Sequence, residues 1–440
     1  MKQKSSYKFS LITYHLSLIT SIVCLSMMFP IGAHAQGGTL SPYSQYGLGE
    51  MAPQGGSVNR SMNGLGVAIH GGTLINPVNP ASFASVDSLT MLFDMGVSGQ
   101  ITNFNENGTK TNAKGANFEY VMGSFRAYKN VGVAFGVLPL TNVGYKYNST
   151  TYLKDVNTAV ITTHHGDGGL HQLFLGVGVR PVKALSVGAS VAYLWGGYDR
   201  SVSSASSSTI NNLSKIYSAS VHNYTLDLGV QYDQRIGNSD LLTVGLTYGL
   251  GHKLNTDAEC LLVSTNSTVS KADTTRIVVG NALELPHTFG AGVSYSHAGK
   301  WTVGADAQLQ RWVKTQFPDY ANGQYALRDG VLDNSYKFTL GGELCPQWNS
   351  RHFFRRIRYR AGVGYTTPYY KINGQTGPRQ MSASIGFGIP IMNAYNSRSQ
   401  LNISAQYVNN SATGLIKENI FRLNIGFTFN EKWFAKWKIE

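Results

Sequence analysis

The chain has 440 residues, of which only 13% are charged, and a formal net charge of +13. That charge is spread out: the one dense basic run, Arg351–Arg360, has Arg356, Arg358 and Arg360 spaced as the polar face of a strand, so a nucleic-acid patch is excluded. Glycine (49) and tyrosine (25) are abundant, proline (13) is scarce, and three cysteines are too few for a disulfide scaffold, which together point to an exported all-β protein.

Residues 1–35 read as a secretory signal peptide. Lys2, Lys4 and Lys8 form a basic start, an apolar stretch follows from Leu16 to Ile31, and Ala33-His34-Ala35 is a cleavage pattern. Cys24 follows Val23, and a bulky residue there argues against lipoprotein processing. Loss of the three lysines lowers the net charge from +13 to +10. Beyond the signal no apolar run reaches the length a membrane helix needs. Cys260 and Cys345 stay in the mature chain, and one disulfide between them is open.

Residues 36–87 do not alternate. They are rich in Gly, Ser, Asn and Pro, yet contain Leu65, Val67, Ala68, Ile69, Leu74 and Ile75, which a purely solvated tail does not need. Two Asn-Pro pairs, Asn76-Pro77 and Asn79-Pro80, stand just before the first alternating stretch and stiffen the chain there.

From residue 88 to 429 the pattern is period two. Tyr224, Leu226, Leu228, Val230 and Tyr232 alternate with Thr225, Asp227, Gly229, Gln231 and Asp233; Leu242 to Leu250, Trp301 to Leu309 and Phe421 to Phe429 repeat the pattern. About fourteen strands are predicted, starting near Ser88, Ala113, Lys129, Gly168, Lys183, Tyr217, Asp240, Arg276, Lys300, Asn334, Arg355, Arg379, Ser399 and Asn419. The eighth is the weakest, because Arg276–Leu285 also suits a loop.

The connections alternate in length. Arg126–Asn130, Arg180–Ala184, Arg235–Asp240, His297–Lys300, Pro346–Phe354 and Ile391–Arg398 are short. Thr102–Asn112, Val143–Asp167, Gly197–Ile216, His252–Thr275, Lys314–Asp333, Pro368–Pro378 and Asn409–Glu418 are long and polar. This sorting, with an even count and an export signal, predicts a transmembrane antiparallel β-barrel of about fourteen strands rather than a soluble sandwich or solenoid. Tyr359 and Tyr369 share a register and are spaced as a pair of girdle aromatics, provided the strand runs past Pro368. Trp301 and Trp312 differ in parity, so either Trp312 faces the lumen or a bulge intervenes.

Here the sequence resembles the FadL-type outer-membrane transporters of long-chain fatty acids and other hydrophobic compounds. The resemblance is carried by Asn59-Arg60-Ser61-Met62, Gly64-Leu65-Gly66-Val67-Ala68 and Asn76-Pro77-Val78-Asn79-Pro80-Ala81, where Asn79-Pro80-Ala81 looks like the family's hatch element. It implies that residues 36–87 form a hatch plugging the lumen and that hydrophobic ligands leave sideways through a kinked third strand. Pro139 lies inside the third predicted strand, where a closed barrel has no edge to receive a proline; a wall opening and a rim bulge are the two readings. No ligand-contacting residue of the family maps onto this chain.

Other chemistry is sparse. His164, His165, Asp167 and His171 include suitable metal ligands but read better as exposed loop residues. No G-x-S-x-G, H-E-x-x-H or P-loop pattern occurs, so neither an enzyme nor a cofactor is expected. The expected partners are a hydrophobic small-molecule ligand, outer-membrane lipids and the barrel-assembly machinery. The alternatives are a barrel that binds a protein, through external loops or through the tail 430–440 with Trp433, Phe434 and Trp437, in a secretion or surface-attachment system, and a general porin.

Overall fold

A computed structural model describes residues 38–153, 158–206, 211–266, 271–391 and 399–431. The predicted signal peptide, and the tail beyond Glu431, lie outside them.

Fourteen antiparallel strands close into a barrel. They are β1 (Met91–Glu106), β2 (Thr109–Tyr128), β3 (Val131–Leu153), β4 (Thr158–Val182), β5 (Leu185–Ser206), β6 (Asn211–Ile236) and β7 (Asp240–Gly249). The second half comprises β8 (His287–His297), β9 (Trp301–Arg311), β10 (Ser335–Leu344), β11 (Arg358–Thr366), β12 (Arg379–Ile391), β13 (Ser399–Ser411) and β14 (Lys417–Glu431). Each pairs with its sequence neighbours, and Met91 opposite Glu431 starts the ladder between β1 and β14 that closes the ring. Closure leaves no free edge over most of the wall, which suits a structure surrounded by lipid.

The alternation separates the two faces as predicted. Outward positions carry apolar residues such as Leu228, Val230, Leu246, Val303, Leu340, Ile385 and Leu423, all exposed. Such a continuous apolar band is stable only against hydrocarbon. Inward positions carry glycine and small polar residues for a steric reason. A Cβ at Gly229 would collide with the Asn79 side chain, and one at Gly188 with the backbone of Pro80. The inner face is thus shaped to the backbone of the N-terminal segment.

Several expectations are corrected. The eighth strand begins at His287, not near Arg276; Arg276 lies in Lys271–Val279, which forms a hairpin with Ala258–Asn266 outside the ring. The polar runs Thr102–Asn112, Val143–Asp167 and Gly197–Ile216 are largely strand. Polar residues are frequent enough in these runs to interrupt the alternation, so they read as loop when only an amphipathic pattern is sought. Tyr369 is not a girdle residue: β11 stops at Thr366, and the buried Tyr369 hydroxyl turns inward to the Gly49 carbonyl. Trp312 also faces inward, fully buried, with its ring 4.6 Å from that of Tyr369. Cys260 and Cys345 are both free; one lies in the outlying hairpin and the other just after β10.

The long arms make the barrel asymmetric. β3 to β6 have 22 to 26 residues, against 9 to 13 in β7 to β12. Ala258–Asn266 adds to the half of β6 nearest Asn211, and among the described residues Lys271–Val279 pairs with Ala258–Asn266 alone. The result is a sheet projecting from one side, at the end opposite the tight turns. Its inner face is covered by an apolar core including Tyr145, Leu194, Tyr198, Val221, Cys260 and Phe317. Burial in this core pushes the phenols of Tyr217 and Tyr325, whose rings lie 5.7 Å apart, above their ordinary range.

Candidate functional site

The N-terminal segment is organised by its asparagines. The Asn76 amide donates to the carbonyls of Gly66 and Ile69 at 2.7 and 2.8 Å, and its oxygen accepts from Val78 N. Pro77 occupies the turn between the two asparagines. Asn79 caps a short 3-10 helix, Pro80–Ser85, by accepting from Ala81 N, and donates to Val67 O at 2.7 Å and to Val230 O of β6 at 3.2 Å. Asn76, Asn79 and Ala81 are all completely buried. The two Asn-Pro pairs therefore fold the segment onto itself and onto the wall, because a buried amide must satisfy both its donor and its acceptor.

The wall is interrupted between β2 and β3. Their ladder runs from Tyr128 opposite Val131 to Val121 opposite Val137 and stops, although both strands continue. Beyond it, β2 pairs only with β1, and β3 pairs with β4. A register shift marks each lip. On β2, Phe118 and Tyr120 oppose consecutive residues of β1, leaving Glu119 as the extra residue. On β3, Pro139 opposes His171 and Thr141 opposes Leu170, leaving Leu140 extra. Bulges bend strands and re-aim side chains, so these two account for the parting of the lips. Pro139, with no N–H to give, stands two residues past the last pair. Phe118, 62% exposed, places the gap level with the apolar band.

A strap of the N-terminal segment covers the gap. Glu50 and Met51 form a two-residue strand against Asn142 and Thr141 of β3. Ala52 N donates to Leu140 O at 3.0 Å, the Gln54 amide donates to Pro139 O at 3.1 Å, and Gly144 N donates to Ser44 Oγ at 3.1 Å. The strap thereby satisfies backbone groups that the missing ladder would have left bare in lipid. On the other lip, Asn117 donates to Gly38 O at 2.7 Å, and Glu119 pairs with Arg60 at 2.7 Å. Behind the strap is a cavity of about 270 Å³, bordered by Leu140, Gln54, Arg60, Lys337, Gln406 and Arg422.

The sequence pointed to Pro139 and the Asn-Pro pairs, and to Arg60 only as part of the run Asn59-Arg60-Ser61-Met62, but not to Glu119, Leu140 or the strap. Glu119 did leave a signal: it is an acid inside Phe118-Glu119-Tyr120-Val121-Met122, which calls for a partner. The candidate metal residues do not converge. His164 stacks on Tyr147 at 4.6 Å and His171 on Trp195 at 5.8 Å, and among the described residues no group of three ligands is suited to a metal.

Solved structures share this architecture. The Pseudomonas putida toluene transporter TodX matches with a TM-score of 0.59 at 12% identity, over 87% of this chain and 100% of that one. The Ralstonia pickettii toluene transporter TbuX matches with a TM-score of 0.58 at 14% identity, over 86% and 98%. A Pseudomonas aeruginosa FadL homologue matches with a TM-score of 0.56 at 12% identity, over 87% and 99%. These likenesses establish a FadL-type fold. No curated protein matches the chain. The BamG family model matches residues 18–440, nearly the whole length, and the chain belongs to the BamG family.

Proposed function

We propose that the protein resides in the outer membrane of a Gram-negative bacterium and passes hydrophobic small molecules through the gap between β2 and β3. In this reading residues 36–87 act as the hatch, the Glu50–Gln54 strap is its moving part, and cargo leaves sideways into lipid. The observation that carries the reading is the pair of facing bulges, Glu119 and Leu140, where the ladder ends. A wall that had only to seal would continue the ladder. The opening is closed instead by a two-residue strand and a few single hydrogen bonds, far weaker than a full ladder. Movement of the strap would join the cavity behind it to the lipid beside Phe118. The structural relatives described as toluene transporters support a hydrophobic cargo, and the chemistry suits small aromatics or long-chain fatty acids.

The direct test is a lock. Met51 and Thr141 are register partners, so Met51→Cys with Thr141→Cys places two thiols across the strap and β3. Uptake of radiolabelled toluene or oleate by cells carrying this variant is expected to fall on oxidation and return on reduction. Equal uptake in both states overturns the gate.

A second reading rests on the projecting sheet, whose outermost strand Lys271–Val279 has a strand paired to only one of its edges among the described residues. Such an edge is a template for strand addition, which fits a protein-binding component of a secretion or surface-attachment system. Removal of residues 258–279 would abolish co-purification of a stoichiometric partner under this reading and leave uptake intact under the first.

A further inference from the structure

The turn joining β10 to β11 is longer than four others at its end of the barrel. It runs from Cys345 to Ile357, whereas the turns closing β2–β3, β4–β5, β6–β7 and β8–β9 have two or three residues. Its backbone is pinned. Gln347 N donates to Arg355 O at 2.8 Å, Arg355 N donates to His352 O at 3.2 Å, and residues Phe353–Arg356 form one helical turn. A turn built to be inert would bury its apolar residues, but this one presents them: Trp348, Phe353 and Phe354 are 68%, 46% and 73% exposed. The two phenylalanine rings meet edge-on at 5.5 Å.

Cations flank these rings. Arg351, His352 and Arg355 are exposed, Arg351 and Arg355 have no carboxylate partner among the described residues, and no Asp or Glu occurs from Cys345 to Ile357. By contrast Arg358 and Arg360 of β11 turn inward to Glu343, so the exposed arginines are not spares of that internal pair. The turn is continuous with aromatic residues of the barrel wall: the Tyr359 hydroxyl donates to Phe354 O at 3.0 Å, and the Tyr359 ring packs on Phe387 at 5.9 Å.

We propose that this turn is a lipid-binding foot, which inserts Trp348, Phe353 and Phe354 among the headgroups of the adjoining leaflet and holds anionic phospholipid phosphates with Arg351 and Arg355. Position selects lipid over protein as the occupant, because the rings adjoin Tyr359 and the outward-facing Phe387 at the end of the apolar band. Charge selects the headgroup: planar guanidinium forks match phosphate oxygens, and the absence of nearby acids leaves the attraction unopposed. Aromatic residues beside basic ones on a rigid short element are the composition of interfacial anchors.

The test uses the purified full-length barrel in vesicles of phosphatidylcholine with or without phosphatidylglycerol. Trp348 emission, isolated by difference against Trp348→Phe, is expected to be quenched by phospholipid brominated near the headgroup. Phosphatidylglycerol retained through detergent extraction, measured by mass spectrometry, is expected to fall roughly fivefold per arginine in Arg351→Ala and Arg355→Ala. Phe353→Ser with Phe354→Ser should weaken quenching while electrophoretic heat-modifiability reports an intact barrel. Unquenched Trp348, or lipid retention indifferent to the arginines, overturns the proposal. So does a stoichiometric protein that co-purifies and is lost with the same substitutions while lipid retention stays unchanged.

Discussion

Arg60 Nη1 lies 2.7 Å from Glu119 Oε2, and the same guanidinium donates to the carbonyls of Pro53 and Gly55 at 2.9 Å. Both side chains are buried. One arginine therefore ties the strap to the β2 lip of the gap, using the residue that the bulge turned inward. Breaking a buried pair by removing one partner costs about 3–5 kcal/mol, because the surviving charge is left unpaired. Arg60→Ala is expected to loosen the strap, seen as new protease cleavage between residues 44 and 60. Arg60→Met with Glu119→Gln, which removes both charges, should restore much of the protection. Cleavage equal in the single and double variants would show that the pair does not hold the strap.

Pro139 stands where the wall gives way. Pro139→Val supplies the missing N–H and is expected to favour extension of the ladder between β2 and β3. Uptake of hydrophobic substrate into outer-membrane vesicles should fall while the amount of folded barrel is unchanged. Uptake equal to that of the unaltered protein would sink the idea that this lip serves passage.

The asparagines support a stability prediction. Asn79→Ala removes a helix cap worth about 1 kcal/mol and two further hydrogen bonds worth about 1 kcal/mol each. A loss of about 2–3 kcal/mol should appear as a lower midpoint of the heat-modifiable shift on electrophoresis. Asn79→Asp keeps the acceptor that caps Ala81 but sets a buried carboxylate oxygen against the carbonyls of Val67 and Val230, so it should lower the midpoint at least as far as Asn79→Ala. Identical midpoints for all three proteins would contradict this assignment.

The inward glycines predict a conductance change. A valine at Gly188 or Gly229 cannot coexist with Pro80 or Asn79 in their present places. Either substitution is expected to displace the segment and raise single-channel conductance in planar bilayers, whereas the unaltered protein should conduct little. A large steady conductance from the unaltered protein would instead favour the open-porin reading.

The parts that could be read without coordinates are those governed by local periodicity. Tyr224 to Tyr232 and Trp301 to Leu309 declare two faces, because a half-buried strand must alternate. Fourteen strands with turns sorted by length then imply a closed barrel. The projecting arms escape that pattern for the same reason. Thr102–Asn112 and Gly197–Ile216 are rich in polar residues, and local pattern does not separate such a strand from a loop. Tyr369 falls outside β11 although it shares the register of Tyr359, because a two-residue period carries no information about where a strand ends.

The site divides along the same line. Sequence by itself determined the barrel, the lipid-facing and inward faces and the anomaly at Pro139, since each follows from residue type and spacing. Only the tertiary structure decided that Glu119 and Leu140 are bulged, that Met51 reaches Thr141, and that Arg60 joins strap to lip. Residues 60 and 119 are far apart in sequence, and a bulge is a mismatch between two strands that neither strand records alone. The pairing energy that defines the gap belongs to the ring as a whole.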